Sequence, residues 1–368
     1  MVIKNEARYQ RQIRLKDFGR EGQQKLANAK VLVIGAGGLG CPALLYLAAA
    51  GIGTLGIIDH DVVELSNLHR QILYSVNDIG RLKADCAAER LTQLNPDINI
   101  IPYPLQLSNQ NAALLISKYD LVIDGSDNFP TRYMVNDACV LLNIPLVYGA
   151  LSEHEGQTGV FNVADEEGIK VNYRDVFPNP PQEGEVLNCA EAGVLGFLPG
   201  LIGTMQAGEA IKLIAGIGEP LVNKMLIYDG YTNQSYQIKL TPEDQAHQTS
   251  PADLDAFLHM DYKWFCGIKG TTGAVQELDA EDFKKRAKNQ NYTVIDVRET
   301  GESPEAEGFK YTKIPLSTIR RHIPELSEQK IILFCQSGVR SVIAAEILLE
   351  TYPEKEFYSL KGGILRLS

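Results

Sequence analysis

The run KVLVIGAGGLG, which begins at Lys30, constrains the fold of this chain more than any other segment. A short apolar run precedes a glycine-rich turn, and the apolar sequence CPALLYLAAAG then continues at helical length to Gly51. This order predicts a buried strand, a tight turn and a helix, as in a parallel sheet covered by helices. The stretch from Val31 to Ile58 is uncharged, but its seven glycines argue against a membrane span.

Strand-like and helical segments continue to alternate as far as the strand PLVYGA, with helices predicted over Leu82–Leu94 and Thr131–Leu142. This alternation predicts a doubly wound, Rossmann-like α/β domain. Residues 157–163 and 225–240 have strand patterns of their own, and we interpret them as an antiparallel extension of the same sheet. The polar, Pro-containing segment TPEDQAHQTSPAD indicates the start of a linker. We therefore predict a first domain over residues 1–243, a linker over 244–262 and a smaller α/β domain over 263–368.

Composition narrows the class of protein. With 368 residues, of which 45% are hydrophobic, the chain is long enough for two cores. The formal charge of −11 without a Lys/Arg block disfavours binding to nucleic acid or to acidic membranes. The N-terminus MVIKNEARYQRQIR has no apolar signal core, and the six cysteines show no disulfide spacing, which favours the cytoplasm.

A nucleotide site is predicted at the glycine turn. Gly35, Gly37 and Gly40 satisfy G-x-G-x-x-G between a strand and a helix, so backbone amides can approach a phosphate. Asp59 ends the next strand, where a carboxylate binds a ribose hydroxyl. A nicotinamide-dependent enzyme has the same pattern, so the glycines alone leave both interpretations open.

The segments after the second strand favour a triphosphate. SNLHRQ and GRLKAD concentrate cationic and amide side chains that a dinucleotide enzyme does not need. In DGSDN a carboxylate just past a strand end is placed to hold Mg²⁺ against phosphate oxygens. The predicted nucleotide-binding residues are Gly35, Gly37, Gly38, Gly40, Asp59, Asp61, Asn67, Arg70, Gln71, Lys83 and Asp127.

These motifs, together with RYQRQIRL and NCAEAGVLG, closely resemble the MoeB/ThiF adenylyltransferases, bacterial relatives of the ubiquitin-activating enzymes. The resemblance implies that ATP and Mg²⁺ activate the C-terminal glycine carboxylate of a small ubiquitin-like sulfur carrier, of the molybdopterin-synthase or thiamine type, as an acyl-adenylate. By the same resemblance Asp59 holds the ribose, Asp127 holds the metal, and Asn67, Arg70 and Lys83 contact the phosphates. Arg11 matches an arginine that reaches into the partner subunit's site, which implies a homodimer.

The resemblance also bears on a cysteine and on a metal. Cys189, in NCAEAGV, matches the family's adenylation-domain cysteine, which can receive an acyl group or a persulfide; the alternative is a buried, inert thiol. Many relatives carry a structural zinc on two C-x-x-C pairs. Here Asn172 and Asp175 stand at the first pair, so four thiolate ligands cannot be assembled and we expect no zinc site.

The C-terminal part resembles a rhodanese sulfurtransferase domain through VIDVRE, FCQSGVRS and LKGGI. Four residues separate Cys335 from Arg340, so the loop amides and the guanidinium can stabilise a persulfide anion. The stretch ESPEAEGFKYTKIPLS lacks the histidine that rhodaneses usually carry there. A persulfide or thiosulfate is the implied sulfur donor.

The interpretation is therefore an adenylyltransferase with sulfurtransferase activity, with Cys335, Cys189, Arg340, Arg11, Arg70 and Asp127 as its catalytic residues. Two alternatives from other classes stay open at this point. One is a nicotinamide-dependent oxidoreductase with a regulatory domain, and the other is a non-catalytic scaffold that only docks the carrier.

Overall fold

The computed structural model describes residues 3, 5–181, 193–243, 249–266, 275–289, 291–299, 301–302, 304–321, 323–336 and 338–367. The chain divides into two compact units, Met1–Met260 and Asp261–Ser368. No helix in the described part of the chain combines the length and the apolar character needed to cross a bilayer.

The first unit is built on one eight-stranded sheet. Its strands are β1 Lys30–Ile34, β2 Thr54–Ile58, β3 Asn99–Tyr103, β4 Leu121–Asp124, β5 Leu146–Ser152, β6 Glu155–Phe161, β7 Lys224–Asp229 and β8 Ser235–Lys239. They have the order β3-β2-β1-β4-β5-β6-β7-β8. Pairing is parallel from β3 to β5 and antiparallel from β5 to β8, so the predicted doubly wound sheet with an antiparallel extension is confirmed.

Helices pack on this sheet. Those of the first unit are α1 Glu6–Ile13, α2 Gly19–Asn28, α3 Gly40–Ala50, α4 Lys83–Leu94, α5 Asn109–Ile116, α6 Phe129–Leu142, α7 Tyr173–Val176, α8 Phe197–Ala215 and α9 Leu254–His259. Val31 and Val33 of β1 share a core with Leu44 and Leu47 of α3, all fully buried. The glycine turn follows the end of β1, a central strand of the parallel part of the sheet. It therefore lies at the carboxyl edge of the sheet, where α/β folds bind ligands.

The predicted linker, 244–262, contains α9, which packs on the first unit. Asn109 Nδ2 donates to the carbonyl oxygens of Leu258 at 2.6 Å and Met260 at 3.0 Å. Gln110 Nε2 donates to the Leu258 oxygen as well. Residues 249–260 are therefore held by α5 through side chains that the sequence pattern does not reveal.

The elements of the second unit are α10 Tyr262–Phe265, β9 Val275–Leu278, α11 Ala280–Ala287, β10 Tyr292–Asp296, β11 Thr312–Lys313, α12 Leu316–Arg321, β12 Lys330–Phe334, α13 Val339–Thr351 and β13 Glu356–Leu360. Its five strands form a parallel sheet with the order β11-β10-β12-β13-β9. Residues along β12 alternate between two cores: Ile331 and Leu333 face one, and Ile332 and Phe334 face the other.

Candidate active sites

The glycine turn is as tight as the sequence predicts. Gly35 has φ +87°, and a Cβ there would lie 2.7 Å from the Gly125 oxygen in the loop after β4. A Cβ at Gly40 would lie 1.9 Å from the Gly35 oxygen. Neither position has room for a side chain, so the turn packs closely at the sheet edge. Gly37 and Gly38, which precede α3, are half-buried, and there the backbone can approach a phosphate.

The carboxylate of Asp59 is fixed against this turn. The amide of Ala36 donates to Asp59 Oδ2 at 2.8 Å, and the amide of Asp61 donates to Oδ1 at 2.9 Å. Burial raises the pKa of Asp59 above its usual range, although these two amides pull it down. Each oxygen keeps a further lone pair, so the carboxylate can still accept hydrogen bonds from ligand hydroxyls.

Arg70 and Gln71 flank the same turn. A Cβ on Gly38 would lie 3.7 Å from Arg70 Cδ, and one on Gly37 would lie 3.6 Å from Gln71 Nε2. The Arg70 guanidinium is tethered through its Nη1, which donates to the Ser66 oxygen at 3.2 Å. The side chains of Arg70 and Gln71 therefore both lie close to the glycine turn.

Asn67 lies in the crossover between β2 and α4, and Lys83 is the first residue of α4. Asn67 is buried; its Oδ1 accepts the Glu64 amide at 3.1 Å, and its carbonyl accepts the Gln71 amide at 2.9 Å. Lys83 is also buried, with Nζ 2.9 Å from Asp61 Oδ2. The salt bridge holds the Lys83 ammonium beside the acidic residues that follow β2, next to the glycine turn.

Asp127 lies in the loop between β4 and α6, at the same edge. Its side chain is exposed, and Asn128 Nδ2 donates to its Oδ1 at 3.4 Å. Asn128 caps α6 by accepting the Thr131 amide at 3.0 Å, which fixes where the loop ends. An exposed carboxylate in a fixed loop is a suitable Mg²⁺ ligand.

A half-buried arginine and a buried carboxylate support this loop, and the sequence reasoning missed both. Arg132 Nη2 donates to the Ser126 oxygen at 3.1 Å, and its Nε lies 3.8 Å from Asp124 Oδ2. Asp124 is fully buried, and burial raises its pKa although Arg132 opposes the shift. The sequence held one signal for this pair: the apolar strand LVID ends in the ionisable Asp124, and Arg132 follows eight residues later.

Four buried side-chain oxygens at this edge find no hydrogen-bond partner among the described residues: Gln71 Oε1, Asp124 Oδ2, Ser126 Oγ and Gln206 Oε1. Gln206 belongs to α8, and its Nε2 donates to the Asp124 carbonyl at 2.7 Å. Buried acceptors are nearly always satisfied in native proteins, by water or by ligand if not by the chain. The donor set and these free acceptors fit a nucleotide at this edge.

Arg11 lies elsewhere in the same chain. Its neighbour Gln12 donates through Nε2 to the Ala50 oxygen at 3.2 Å, in the last turn of α3. The glycine turn precedes the first residue of that helix, about 15 Å away at 1.5 Å per residue. The exposed Arg11 is therefore not brought to its own nucleotide site, and Cys189 lies outside the described residues.

The second unit presents the other candidate site. Cys335 directly follows β12 and is fully buried; its Sγ accepts the Gly338 amide at 3.2 Å and lies 3.6 Å from Ser341 Oγ. Ser341 Oγ in turn donates to the Gly338 oxygen at 2.9 Å. The Gly338 amide and the Ser341 hydroxyl therefore face the sulfur, and such donors can stabilise an anion there.

Arg340 points to a partner that the sequence reasoning missed. Its two terminal nitrogens bind the two carboxylate oxygens of Glu302, with Nη2 to Oε2 at 2.5 Å. Burial lowers the pKa of Arg340, but the hydrogen bonds and charge of Glu302 and the charge at Cys335 raise it above its usual value. Glu302 lies in the stretch that lacks the usual histidine, and no local pattern links it to a residue 38 positions away.

Asn172 and Asp175 do not fit a structural zinc. Asn172 caps α7 by accepting the Arg174 amide at 2.9 Å, while Asp175 Oδ2 accepts the amide and Nδ2 of Asn172. Arg174 then forms a buried two-point ion pair with Asp137 of α6, with Nε to Oδ1 and Nη2 to Oδ2 both at 2.7 Å. Hydrogen bonds and an ion pair join α6 to α7 here.

Comparison with known proteins gives two family matches. The model of the ThiF family matches residues 9–250, more than half of the chain. The model of the rhodanese-like domain matches residues 279–367.

Two relatives match nearly the whole chain. The probable adenylyltransferase/sulfurtransferase MoeZ of Mycobacterium tuberculosis is 42% identical over 372 residues, covering 98% of this chain and 92% of the relative. The adenylyltransferase and sulfurtransferase MOCS3 of Drosophila yakuba is 40% identical over 375 residues, covering 97% and 82%.

Solved structures agree on the fold. PaaA aligns with a TM-score of 0.54 at 24% identity, covering 65% of this chain and 75% of that one. The complex of E. coli MccB with ATP aligns with a TM-score of 0.51 at 22% identity, covering 61% and 67%. At such identities the likeness concerns the fold alone.

Proposed function

This chain belongs to the ThiF family and carries a rhodanese-like domain, and from that premise we propose that it activates a small ubiquitin-like sulfur carrier with ATP and then places sulfur on it. The predicted enzyme class, an adenylyltransferase with sulfurtransferase activity, is confirmed by the family matches and the relatives. We assign adenylation to residues 1–243 and sulfur transfer to residues 263–368. Free cysteines in the described chain support a cytoplasmic location.

We assign ATP to the carboxyl edge of the first sheet. Gly35, Gly37, Gly38 and Gly40 give the phosphates access to backbone amides, and Asp59 accepts the ribose hydroxyls. Asn67, Arg70, Gln71 and Lys83 bind the phosphates, with Asp61 orienting Lys83 through the 2.9 Å salt bridge. The observation that carries this assignment is that Asp59, Arg70 and Gln71 all lie against one glycine turn.

Asp127 is the residue we assign to Mg²⁺. Asp59, His60 and Asp61 also bring ligand atoms within 4.8 Å of one another, but Asp59 is engaged by two amides and Asp61 by Lys83. When bound, Mg²⁺ neutralises charge on the phosphate oxygens and on the departing pyrophosphate.

The residue types suit adenylation of a carboxylate. The carrier's C-terminal carboxylate and the α-phosphate are both anionic, so attack requires cations to offset the repulsion. Arg70 and Lys83 supply these charges from fixed positions. No general base is needed, because a carboxylate is already ionised at pH 7.

A homodimer completes the site in our proposal. Arg11 lies at the far end of α3 from its own glycine turn, so we assign it to the partner subunit's phosphates. The crossover between β2 and α4 exposes Leu65, Ile72 and Val76, which are 70%, 62% and 68% accessible. Several exposed apolar side chains on one segment favour an interface with a second copy.

Sulfur transfer is assigned to Cys335, with the carrier thiocarboxylate as product. The Cys335 thiolate takes the outer sulfur of the donor and becomes a persulfide. The terminal persulfide sulfur then attacks the acyl-adenylate carbonyl, AMP leaves, and an acyl disulfide joins the carrier to Cys335. A thiolate, such as the one that a persulfide donor releases, attacks the Cys335 sulfur; the S–S bond to the carrier breaks, and the carrier thiocarboxylate leaves with the electron pair. Cys189 is proposed as a relay that holds the acyl group or the sulfur between the two sites.

ATP/pyrophosphate exchange tests the first half-reaction. We expect exchange that requires both Mg²⁺ and a carrier ending in glycine. A nicotinamide-dependent oxidoreductase would show no exchange, and that result would refute the proposal. A non-catalytic scaffold that only docks the carrier would show no sulfur transfer through Cys335, which distinguishes it from the proposed enzyme.

A further inference from the structure

Residues 249–260 directly precede the second unit and are bound to the first unit by side chains; we call them the anchor segment. Asn109 Nδ2 donates to the carbonyl oxygens of Leu258 at 2.6 Å and Met260 at 3.0 Å. Gln110 Nε2 adds a hydrogen bond to the Leu258 oxygen at 3.0 Å. Three hydrogen bonds from the first turn of α5 therefore hold the C-terminal end of the anchor segment.

Arg174 binds both ends of the anchor segment. Its side chain is fully buried, and its Nη1 donates to Thr249 Oγ1 at 3.0 Å. Its Nη2 lies 4.0 Å from Met260 Sδ. Phe257, between these two points, is fully buried where α9 packs against α5 and α6. The anchor segment is thus packed on the first unit as well as hydrogen-bonded to it.

The chain between the anchor segment and the first helix of the second unit is short. Helix α9 ends at His259, and Asp261 caps α10, where its Oδ1 accepts the Trp264 amide at 2.9 Å. Trp264 packs against the core of the second unit that contains Cys335. Met260 alone therefore separates the end of α9 from the cap of a helix that belongs to the second unit.

The length of free chain decides how often two tethered sites meet. Once a flexible tether exceeds the span, the effective concentration of its ends falls roughly as the −3/2 power of its length. Release of the anchor segment would add its 12 residues to the tether, up to about 40 Å of extended chain. On this scaling the effective concentration falls about tenfold.

Resting on the sulfur transfer proposed above, we propose that Asn109 is a positioning residue for that reaction. It holds the anchor segment on the first unit, and the short remaining tether keeps the Cys335 persulfide at high effective concentration near the acyl-adenylate. Neither half-reaction needs this contact, because adenylation uses the glycine turn with its cations and persulfide formation uses the Cys335 loop. Only the step that joins the two products depends on the length of free chain.

Asn109→Ala removes two of the hydrogen bonds and should leave α5 folded. Ser108 and Asn111 form the capping box of this helix, and alanine is the best helix former. Ser117→Ala is the matched control, because it removes the hydrogen bond that Ser117 Oγ donates to the Leu114 oxygen at the other end of α5. The control loses a side-chain contact of the same helix without touching the anchor segment.

The test compares both variants with the parent as full chains. Hydrogen exchange read by mass spectrometry should show faster exchange of the amides of residues 254–260 in Asn109→Ala and not in Ser117→Ala. Pyrophosphate exchange and the loading of Cys335 from cysteine persulfide should stay within about twofold of the parent in both variants. Formation of the carrier thiocarboxylate should fall about tenfold in Asn109→Ala alone.

Parent-level thiocarboxylate formation by an Asn109→Ala protein with faster exchange in residues 254–260 would overturn the proposal. Unchanged hydrogen exchange would overturn it too, because Asn109 would then not hold the anchor segment. An equal loss of either half-reaction in Asn109→Ala would show a general structural role and not positioning. If the parent itself exchanges no pyrophosphate or makes no thiocarboxylate, the function proposed above fails, which is a different result.

Discussion

The backbone amide of Gly338 donates a hydrogen bond to Cys335 Sγ over 3.2 Å. This contact requires Gly338 to adopt φ +92°, and a Cβ there would lie 2.7 Å from the Gly362 amide nitrogen. The sulfur therefore depends on a backbone conformation that only glycine adopts without strain, in a space that only glycine fits.

We predict that Gly338→Ala lowers persulfide formation on Cys335 at least about tenfold, because positive φ costs about 1–2 kcal/mol and the methyl group displaces the loop. Exchange of pyrophosphate should stay at the parent rate. Gly308→Ala is the matched control, since Gly308 has φ +88° but nothing within 4 Å of a Cβ. Equal loss in both variants would show that strain alone accounts for the effect.

Asp127→Ala should abolish carrier-dependent ATP/pyrophosphate exchange, since the metal would lose its carboxylate. Glu166→Ala, which removes an exposed carboxylate from another loop, should leave exchange unchanged. Parent-level exchange by Asp127→Ala would rule out our metal assignment.

Arg11→Ala should also lower exchange, and mixing it with Asp127→Ala should recover activity. In a mixed dimer, the Arg11→Ala subunit keeps Asp127 and receives Arg11 from its partner. Random pairing of equal amounts then gives about one quarter of the parent rate. Dimers that exchange subunits without regaining activity would contradict the shared site.

The purified protein should contain no stoichiometric zinc, which elemental analysis can measure. EDTA should not change its free energy of unfolding in a denaturant titration.

Arg174→Ala should lower the free energy of unfolding by about 3–5 kcal/mol, because Asp137 is left charged in a buried site. Arg90→Ala, at an ion pair whose arginine is 48% accessible, should cost less than about 1 kcal/mol. If EDTA lowered the stability of the protein and Arg174→Ala lowered it only slightly, a metal and not the ion pair would stabilise this region.

Local sequence predicted most of the first sheet because period and glycine spacing are local properties. The predicted helix over Leu82–Leu94 begins one residue later at Lys83, and that over Thr131–Leu142 begins at Phe129. Helix Asn109–Ile116 was missed, although Ser108 and Asn111 form a capping box at its start. Its eight residues are too few for a clear apolar period.

The glycine turn, and the position of Asp59 at the end of the next strand, followed from local motifs of one strand–turn–helix–strand unit. Arg132 beneath the Asp127 loop, and Glu302 against Arg340, did not, because each buried partner is chosen by packing and not by spacing. An apolar pattern predicts that a strand is buried, but it does not predict which charged side chain will pair with a buried charge next to that strand.

The most direct test of the account is the intact mass of a carrier after incubation with Mg²⁺, ATP and a persulfide donor. The parent protein should replace one oxygen of the carrier's C-terminal carboxylate by sulfur. Cys335→Ser should leave pyrophosphate exchange intact and make no thiocarboxylate, because adenylation needs only the first unit. Thiocarboxylate formed by Cys335→Ser at the parent rate would contradict the account and reduce the second unit to a docking domain.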